Sequence, residues 1–251
     1  MGSPVRFPFG VTTADKVDPL GMYGLPDPTG WHTYFDDFDT FTAAQWTITT
    51  TEAGAGSATE ALTDADGGVL LITNDAADND LDFFQKVGES FLPTSGKRLA
   101  GKFRFKTSDA TQSELYFGLM VTDTDPFSST VGDGVTDGIF FMKEDGSTDV
   151  GFYVQKDATT GQLTSAAVTT LASDTWTELG FAFDGKRYIT LWKDGAQLAT
   201  VDLTTTLATY LPDTELTISF GLKNGEAVAK TLSTDYAFVA QERSSRGSAM
   251  A

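Results

Sequence analysis

The most regular hydrophobic pattern in the chain runs through residues 176–203, WTELGFAFDGKRYITLWKDGAQLATVDL. Apolar and polar residues alternate there in three runs, broken at Asp184-Gly185 and Asp194-Gly195. A period of two marks a strand with one buried face. Asp-Gly is a strong hairpin signal, because glycine accepts the positive φ of a tight turn. The spacing therefore predicts a three-stranded antiparallel meander. On its middle strand Ile189 and Leu191 face one way, and Tyr188 and Trp192 face the other.

The same grammar covers most of the chain. Phe103 and Phe105 alternate with Lys102, Arg104 and Lys106, and Leu115, Phe117, Leu119 and Val121 share one face. Further strands are predicted around Trp46 and Ile48 and over residues 69–73, 81–84, 138–142, 150–155, 168–171, 216–222 and 236–239. Turn signals at Asp133-Gly134, Asp137-Gly138, Asp145-Gly146 and Asn224-Gly225 punctuate them. No stretch keeps a helical period for three turns, and the best helical candidate, residues 41–46, is too short to stand alone. Two longer loops, 50–63 and 122–136, are rich in Thr, Ser, Gly, Asp and Ala, the kind of loop that is usually functional or mobile. The expected fold is all-β: a two-sheet antiparallel jelly-roll sandwich over residues 34–240, followed by a polar tail, 241–251.

Residues 1–33 break the pattern. Five of the eight prolines fall there, with five glycines between them, so neither a helix nor a central strand can form. Yet the segment is too apolar for a solvated linker. It is expected to be an extended arm that grips either its own sandwich or a partner through Arg6, Phe7, Phe9, Val11, Leu20, Met22, Tyr23 and Leu25.

Composition sharpens this picture. Nineteen phenylalanines, against four tryptophans and seven tyrosines, predict an aromatic core. A net charge of -18 repels phosphate backbones and argues against nucleic acid as a partner. No cysteine is present, which excludes disulfides and thiolate chemistry. No apolar run is long enough to span a membrane, and no apolar stretch of a signal peptide follows Met1, so synthesis in a host cytoplasm is expected.

Two resemblances add to the residue patterns. Trp176, the two Asp-Gly turns and the strand between them resemble the concanavalin A-like jelly rolls, the legume-lectin and laminin-G-like group. So do FRFK at 103–106, LYFGLMV at 115–121 and DGIFFM at 137–142. The likeness spans roughly residues 35–239 and implies the fold. That fold hosts lectins, hydrolases and structural modules, so it does not imply an activity. The arm segment RFPFGVTTA, residues 6–14, resembles the opening of tailed-phage head proteins.

Together these resemblances imply a non-enzymatic virion protein. The role expected is a capsid decoration (cement) protein on the capsid surface. Its partners would be the major capsid protein or another virion protein, and copies of itself in a homo-oligomer, with a trimer as the state that analogy suggests. The alternative is a carbohydrate-binding, lectin-like adhesion module that stacks sugars on Tyr188 and Trp192, or a tail or baseplate component of the same fold.

Retaining glycosidases of the resembling fold carry two Glu as Glu-x-Asp-x-Glu, and no such run exists here. The acidic clusters around Asp36, Asp64, Asp78 and Asp123 read as turn and strand-start residues, so no catalytic residue and no cofactor is expected. Among them Asp78, Asn79, Asp80 and Asp82 form the best group for Ca²⁺, which wants several loop oxygens. The sole histidine, His32, flanks Trp31 and assembles no triad.

Overall fold

The computed structural model describes residues 30–63, 65, 67–122, 127, 134–158 and 163–244. The arm residues Arg6, Phe7, Phe9, Val11, Leu20, Met22, Tyr23 and Leu25 lie outside them. Among the described residues fifteen strands form two antiparallel sheets. In the eight-stranded sheet the order is β13 (Ala196–Asp202), β12 (Tyr188–Lys193), β11 (Thr177–Phe183), β6 (Leu99–Thr107), β15 (Thr231–Glu242), β4 (Leu70–Thr73) and β3 (Thr59–Leu62). The eighth strand, β1 (Trp31–Asp36), shares an edge of β15 with β4: residues 231–234 pair with β4 and residues 237–242 with β1. In the seven-stranded sheet the order is β10 (Leu163–Thr170), β9 (Asp149–Gln155), β8 (Gly138–Lys143), β7 (Ser113–Met120), β14 (Thr217–Asn224), β5 (Leu81–Lys86) and β2 (Trp46–Thr51).

This is the all-β jelly-roll sandwich that the alternation predicts. β1 starts at Trp31, before the boundary drawn at Tyr34, and β15 runs on to Glu242. Residues 41–46 hold only a 3-10 turn, Ala43–Gln45. Helical residues otherwise amount to one turn, α1 (Leu207–Tyr210), among the described residues. Neither it nor β3 carries an alternation that would have marked it in advance.

Aromatic side chains from both sheets fill the space between them. Phe84 and Phe220 stack at 5.4 Å, Phe105 and Phe117 at 3.8 Å, and Trp46 meets Phe220 edge-on at 5.3 Å. Each ring buried this deeply contributes about 2–3 kcal/mol through area alone. On β6, Phe103 and Phe105 are buried between the sheets while Lys102, Arg104 and Lys106 reach outward.

The meander forms as predicted, with two different turns. Asp194 (φ 49°) and Gly195 (φ 78°) make a two-residue turn with both residues left-handed. The turn at Asp184 is wider. One carboxylate oxygen of Asp184 accepts from the backbone N–H groups of Lys186, Arg187 and Tyr188. Gly185 has φ 78°, and a Cβ there would lie 2.9 Å from the backbone of Lys97, so only glycine suits the position.

The two outer faces differ. On the seven-stranded sheet a second apolar cluster is buried, comprising Leu81, Phe83, Tyr116, Met120, Phe140, Met142 and Tyr153 with Phe127 and Val135. Phe127 and Val135 belong to the loop between β7 and β8, and the Phe127 ring lies edge-on to Tyr116 at 4.5 Å and Phe83 at 5.6 Å. This face is thus covered by the protein's own chain. The outer face of the eight-stranded sheet carries the basic ladder of β6. Lys102 pairs with Glu178 at 2.8 Å, Arg104 pairs with Asp235, and Arg104 and Lys106 lie over the Trp176 ring at 4.6 and 5.4 Å. The acids that answer this ladder come from neighbouring strands of the same sheet.

Phe220→Ala is expected to cost about 3–5 kcal/mol in urea denaturation, the range for emptying a packed aromatic site. Phe35→Ala, at an exposed ring, should change stability by no more than about 0.5 kcal/mol.

Candidate functional site

Strand register builds a trench on the outer face of the eight-stranded sheet. Trp192, Gly180, Lys102, Phe238 and Phe35 face one another in a single row across β12, β11, β6, β15 and β1. At about 4.8 Å per strand the row spans roughly 19 Å. The adjacent row is Thr190, Ala182, Ala100, Ala240 and Thr33, all short side chains. Trp192, Lys102 and Phe238 stand up from the first row on either side of Gly180, and the small side chains beside them leave a trench. Its volume is about 310 Å³, with Ala100, Gly101, Gly180 and Ala182 on its floor and Trp192 and Phe238 as walls. Lys102 and Glu178 provide charge in it.

Glu178 also accepts from the Tyr236 hydroxyl, next to the exposed Phe35 ring at 6.1 Å from Tyr236. Burial, and then that bond to Glu178, hold the Tyr236 phenol above its usual range. Glu178 is therefore held in place by a lysine on one side and a phenol on the other. An apolar floor, aromatic walls and a few fixed polar groups are the general make-up of a small-ligand site.

Trp192 is set apart from the other tryptophans. Trp31 lies under Arg98 at 4.8 Å, Trp46 is in the core, and Trp176 is covered by two cations. Among the described residues no ring or cation is stacked on Trp192. Tyr188 lies on the same face of β12, but the Arg187 guanidinium covers its ring at 4.5 Å. Tyr153, another aromatic that exposure would have brought into play, is 8% exposed and stacked on Phe140 at 5.4 Å. A second hollow, about 440 Å³ and lined by Leu92, Pro93, Lys156, Leu207, Leu211 and Asp213 among others, has no aromatic wall.

Two acidic groups could hold a metal. Asp137, Asp157 and Asp213 bring one oxygen each within 4.8 Å of one another, and Asp213 is paired with Lys156 at 2.5 Å. The Ca²⁺ group read from the sequence divides. Asp78 and Asn79 are exposed on the turn before β5, with Asn79 left-handed at φ 68°. Asp80 and Asp82 are buried. Burial pushes the Asp82 carboxyl up to about 7 against the hydrogen bond from Thr50, and Glu60, Glu52 and Asp80 add to the rise. His32 lies against Phe91 at 4.7 Å with Nε2 at 3.2 Å from the Ser90 hydroxyl, a packing role. Burial and Arg243 lower its pKa.

Phe238, Phe35 and the small floor residues escaped the sequence reading. Each sits on a strand whose parity is readable, but their meeting depends on strand order. β15 lies between β6 and β1 only because the last strand returns to the middle of the sheet.

No protein-family model and no curated protein matches the chain. Solved structures do. An endo-1,3-β-glucanase from Streptomyces sioyaensis superposes with a TM-score of 0.61 at 14% identity, covering 87% of this chain and 99% of that one. A glycoside hydrolase family 16 endo-glucanase from Bacteroides ovatus gives 0.54 at 14% identity, covering 81% and 98%. Peanut lectin gives 0.54 at 11% identity, covering 84% and 97%.

The concanavalin A-like jelly roll is the fold of this chain. The expectation of a non-enzymatic protein is overturned by the same finding, since glucanases are among the structures that share the fold. The missing Glu-x-Asp-x-Glu run was too narrow a ground for that exclusion. None of these matches bears on a virion, a capsid or a phage.

Lys143 gives a pH test of the buried polar groups. Its ammonium donates to the carbonyls of Thr111, at 2.9 Å, and Ser113, and burial pushes its pKa down to about 8. Between about pH 8 and 10.5 the unfolded chain then holds a proton that the folded chain has released, so stability should rise with pH through that window. Urea midpoints of the wild type and Lys143→Met compared at pH 7.5, 9 and 10.5 should differ by an amount that shifts in the wild type's favour as pH rises, since the tyrosines that titrate near pH 10 act on both alike.

Proposed function

We propose that this protein binds a neutral glycan in the trench of the eight-stranded sheet. The observation that carries the reading is the half-buried indole of Trp192, which lines the trench beside a floor of small residues and, among the described residues, has no ring or cation stacked on it. A pyranose has apolar C–H faces and a rim of hydroxyls. It can lay a face on an aromatic ring while its hydroxyls meet fixed charged groups, here Lys102 and Glu178. The net charge of -18 disfavours acidic polysaccharides and leaves neutral ones. The row of Trp192, Phe238 and Phe35 suits an extended chain of sugars better than a single ring. Support also comes from the fold itself, which a lectin and β-glucanases share. A β-glucan is accordingly the first ligand to try.

Titration calorimetry with laminari-oligosaccharides and mixed-linkage glucan should show saturable binding, with alginate as the acidic control giving none. Trp192→Ala should weaken binding at least tenfold, about 1.4 kcal/mol. Ala182→Leu, which fills the floor, should do the same, and Tyr188→Ala should have a smaller effect. The same samples should be run for cleavage products. Absence of binding to every neutral glycan on an array, or affinity unchanged in both trench variants, contradicts the proposal.

A further inference from the structure

One end of the space between the sheets holds four buried oxygens with no hydrogen-bond donor: Asp80 Oδ2, Asp82 Oδ2, Asn74 Oδ1 and Asn224 Oδ1. The four residues are 0–1% exposed. Asp80 precedes β5, Asp82 lies on its core-facing side with Phe84, Asn74 follows β4, and Asn224 ends β14. Their other polar atoms are accounted for. Asn74 Nδ2 donates to the carbonyls of Asp80 at 2.8 Å and Leu222 at 3.2 Å. Asn224 donates through its backbone N–H to the same Asp80 carbonyl at 2.8 Å, and through Nδ2 to the carbonyls of Asp75 and Ala77. Asp80 Oδ1 accepts from the Ala53 N–H at 2.6 Å, and Asp82 Oδ1 accepts from the Thr50 hydroxyl at 2.7 Å.

Asn74, through its amide, and Asn224, through its backbone N–H, thus both reach the Asp80 carbonyl and have their amide oxygens left over, while Asp80 and Asp82 each keep one free carboxyl oxygen. Among the described residues no Lys, Arg or His forms an ion pair with Asp80 or Asp82. Buried polar groups are almost always satisfied, and buried charges are paired or bind metal. What is missing here has one sign: every orphan is an oxygen that can accept, and two of them belong to carboxyl groups that a bound cation would hold ionised. A positive ion answers both deficits at once.

We propose that Asp80, Asp82, Asn74 and Asn224 hold a calcium ion that ties the ends of β4, β5 and β14 together. Calcium takes six to eight oxygens in flexible geometry, and mixed carboxylate and amide sets suit it. Magnesium keeps several waters in a tight octahedron, which a site this closed disfavours. The exposed Asp78 and Asn79 are not part of it. The proposal is independent of the glycan trench, which lies on the opposite side of the eight-stranded sheet from the core.

The test uses the full chain after chelator treatment, in 150 mM salt with excess magnesium to suppress loose binding to its acidic surface. Equilibrium dialysis with labelled calcium should find one saturable ion per chain, and saturation should raise the melting temperature by several degrees. Asp82→Asn should weaken binding at least tenfold, whereas Asp213→Asn, in the other acidic trio, should leave it unchanged. Asp80→Asn replaces the first variant should that fail to fold. No saturable calcium up to about 1 mM would overturn the proposal in the wild-type protein alone. A loss with Asp213→Asn but not with Asp82→Asn would overturn it too, by moving the ion to the other trio.

Discussion

Everything in this protein depends on the packing of aromatic rings between two twisted sheets. Strand side chains alternate with a strict period of two, so committing one set to the core commits the other to an outer face. Once Phe103, Phe105 and Phe181 enter the core, Lys102, Arg104, Gly180 and Ala182 have no choice of side. The outer faces are thus consequences of the core. One is filled by the protein's own rings and the other presents the trench, so the place where a ligand can lie follows from which face the chain covers.

Much of this was legible in the residues. Alternation in Phe103 to Lys106 marked both faces of β6, and the two Asp-Gly pairs marked the β11–β12–β13 meander. Trp192 could be assigned to the face opposite Ile189 and Leu191 by parity alone. The trench could not be read, because its walls come from residues 46 positions apart in the sequence, Trp192 and Phe238. Their meeting is set by the return of β15 to the centre of the sheet, a long-range choice that no local pattern encodes. Arg187 over Tyr188 was equally hidden, since a cation covering a ring depends on the shape of the turn at Asp184. The absence of a Glu-x-Asp-x-Glu run, acidic clusters at turns and a histidine without a triad are local tests, and none of them decides what a fold shared by lectins and glucanases can do.

Charge is arranged economically for so acidic a chain. The three cations of β6 are placed over the Trp176 ring or against Glu178 and Asp235, where packing and partner hold them together. Exposed pairs of this kind contribute little stability each. Their effect is positional: they fix the Lys102 stem across Gly180 and so shape the trench. The buried end near Asp80 is the opposite case, with acceptors in excess and, among the described residues, no side-chain cation paired with them.

The central claim is that the trench is where a ligand lies, and mapping of amide and indole NMR shifts during titration with a laminari-oligosaccharide tests it most directly. The account predicts that the Trp192 indole N–H and the amides of Gly180, Ala182, Lys102 and Phe238 move together with ligand concentration. Shifts confined to the hollow beside Leu92 and Leu211, or no shifts at all, would contradict it.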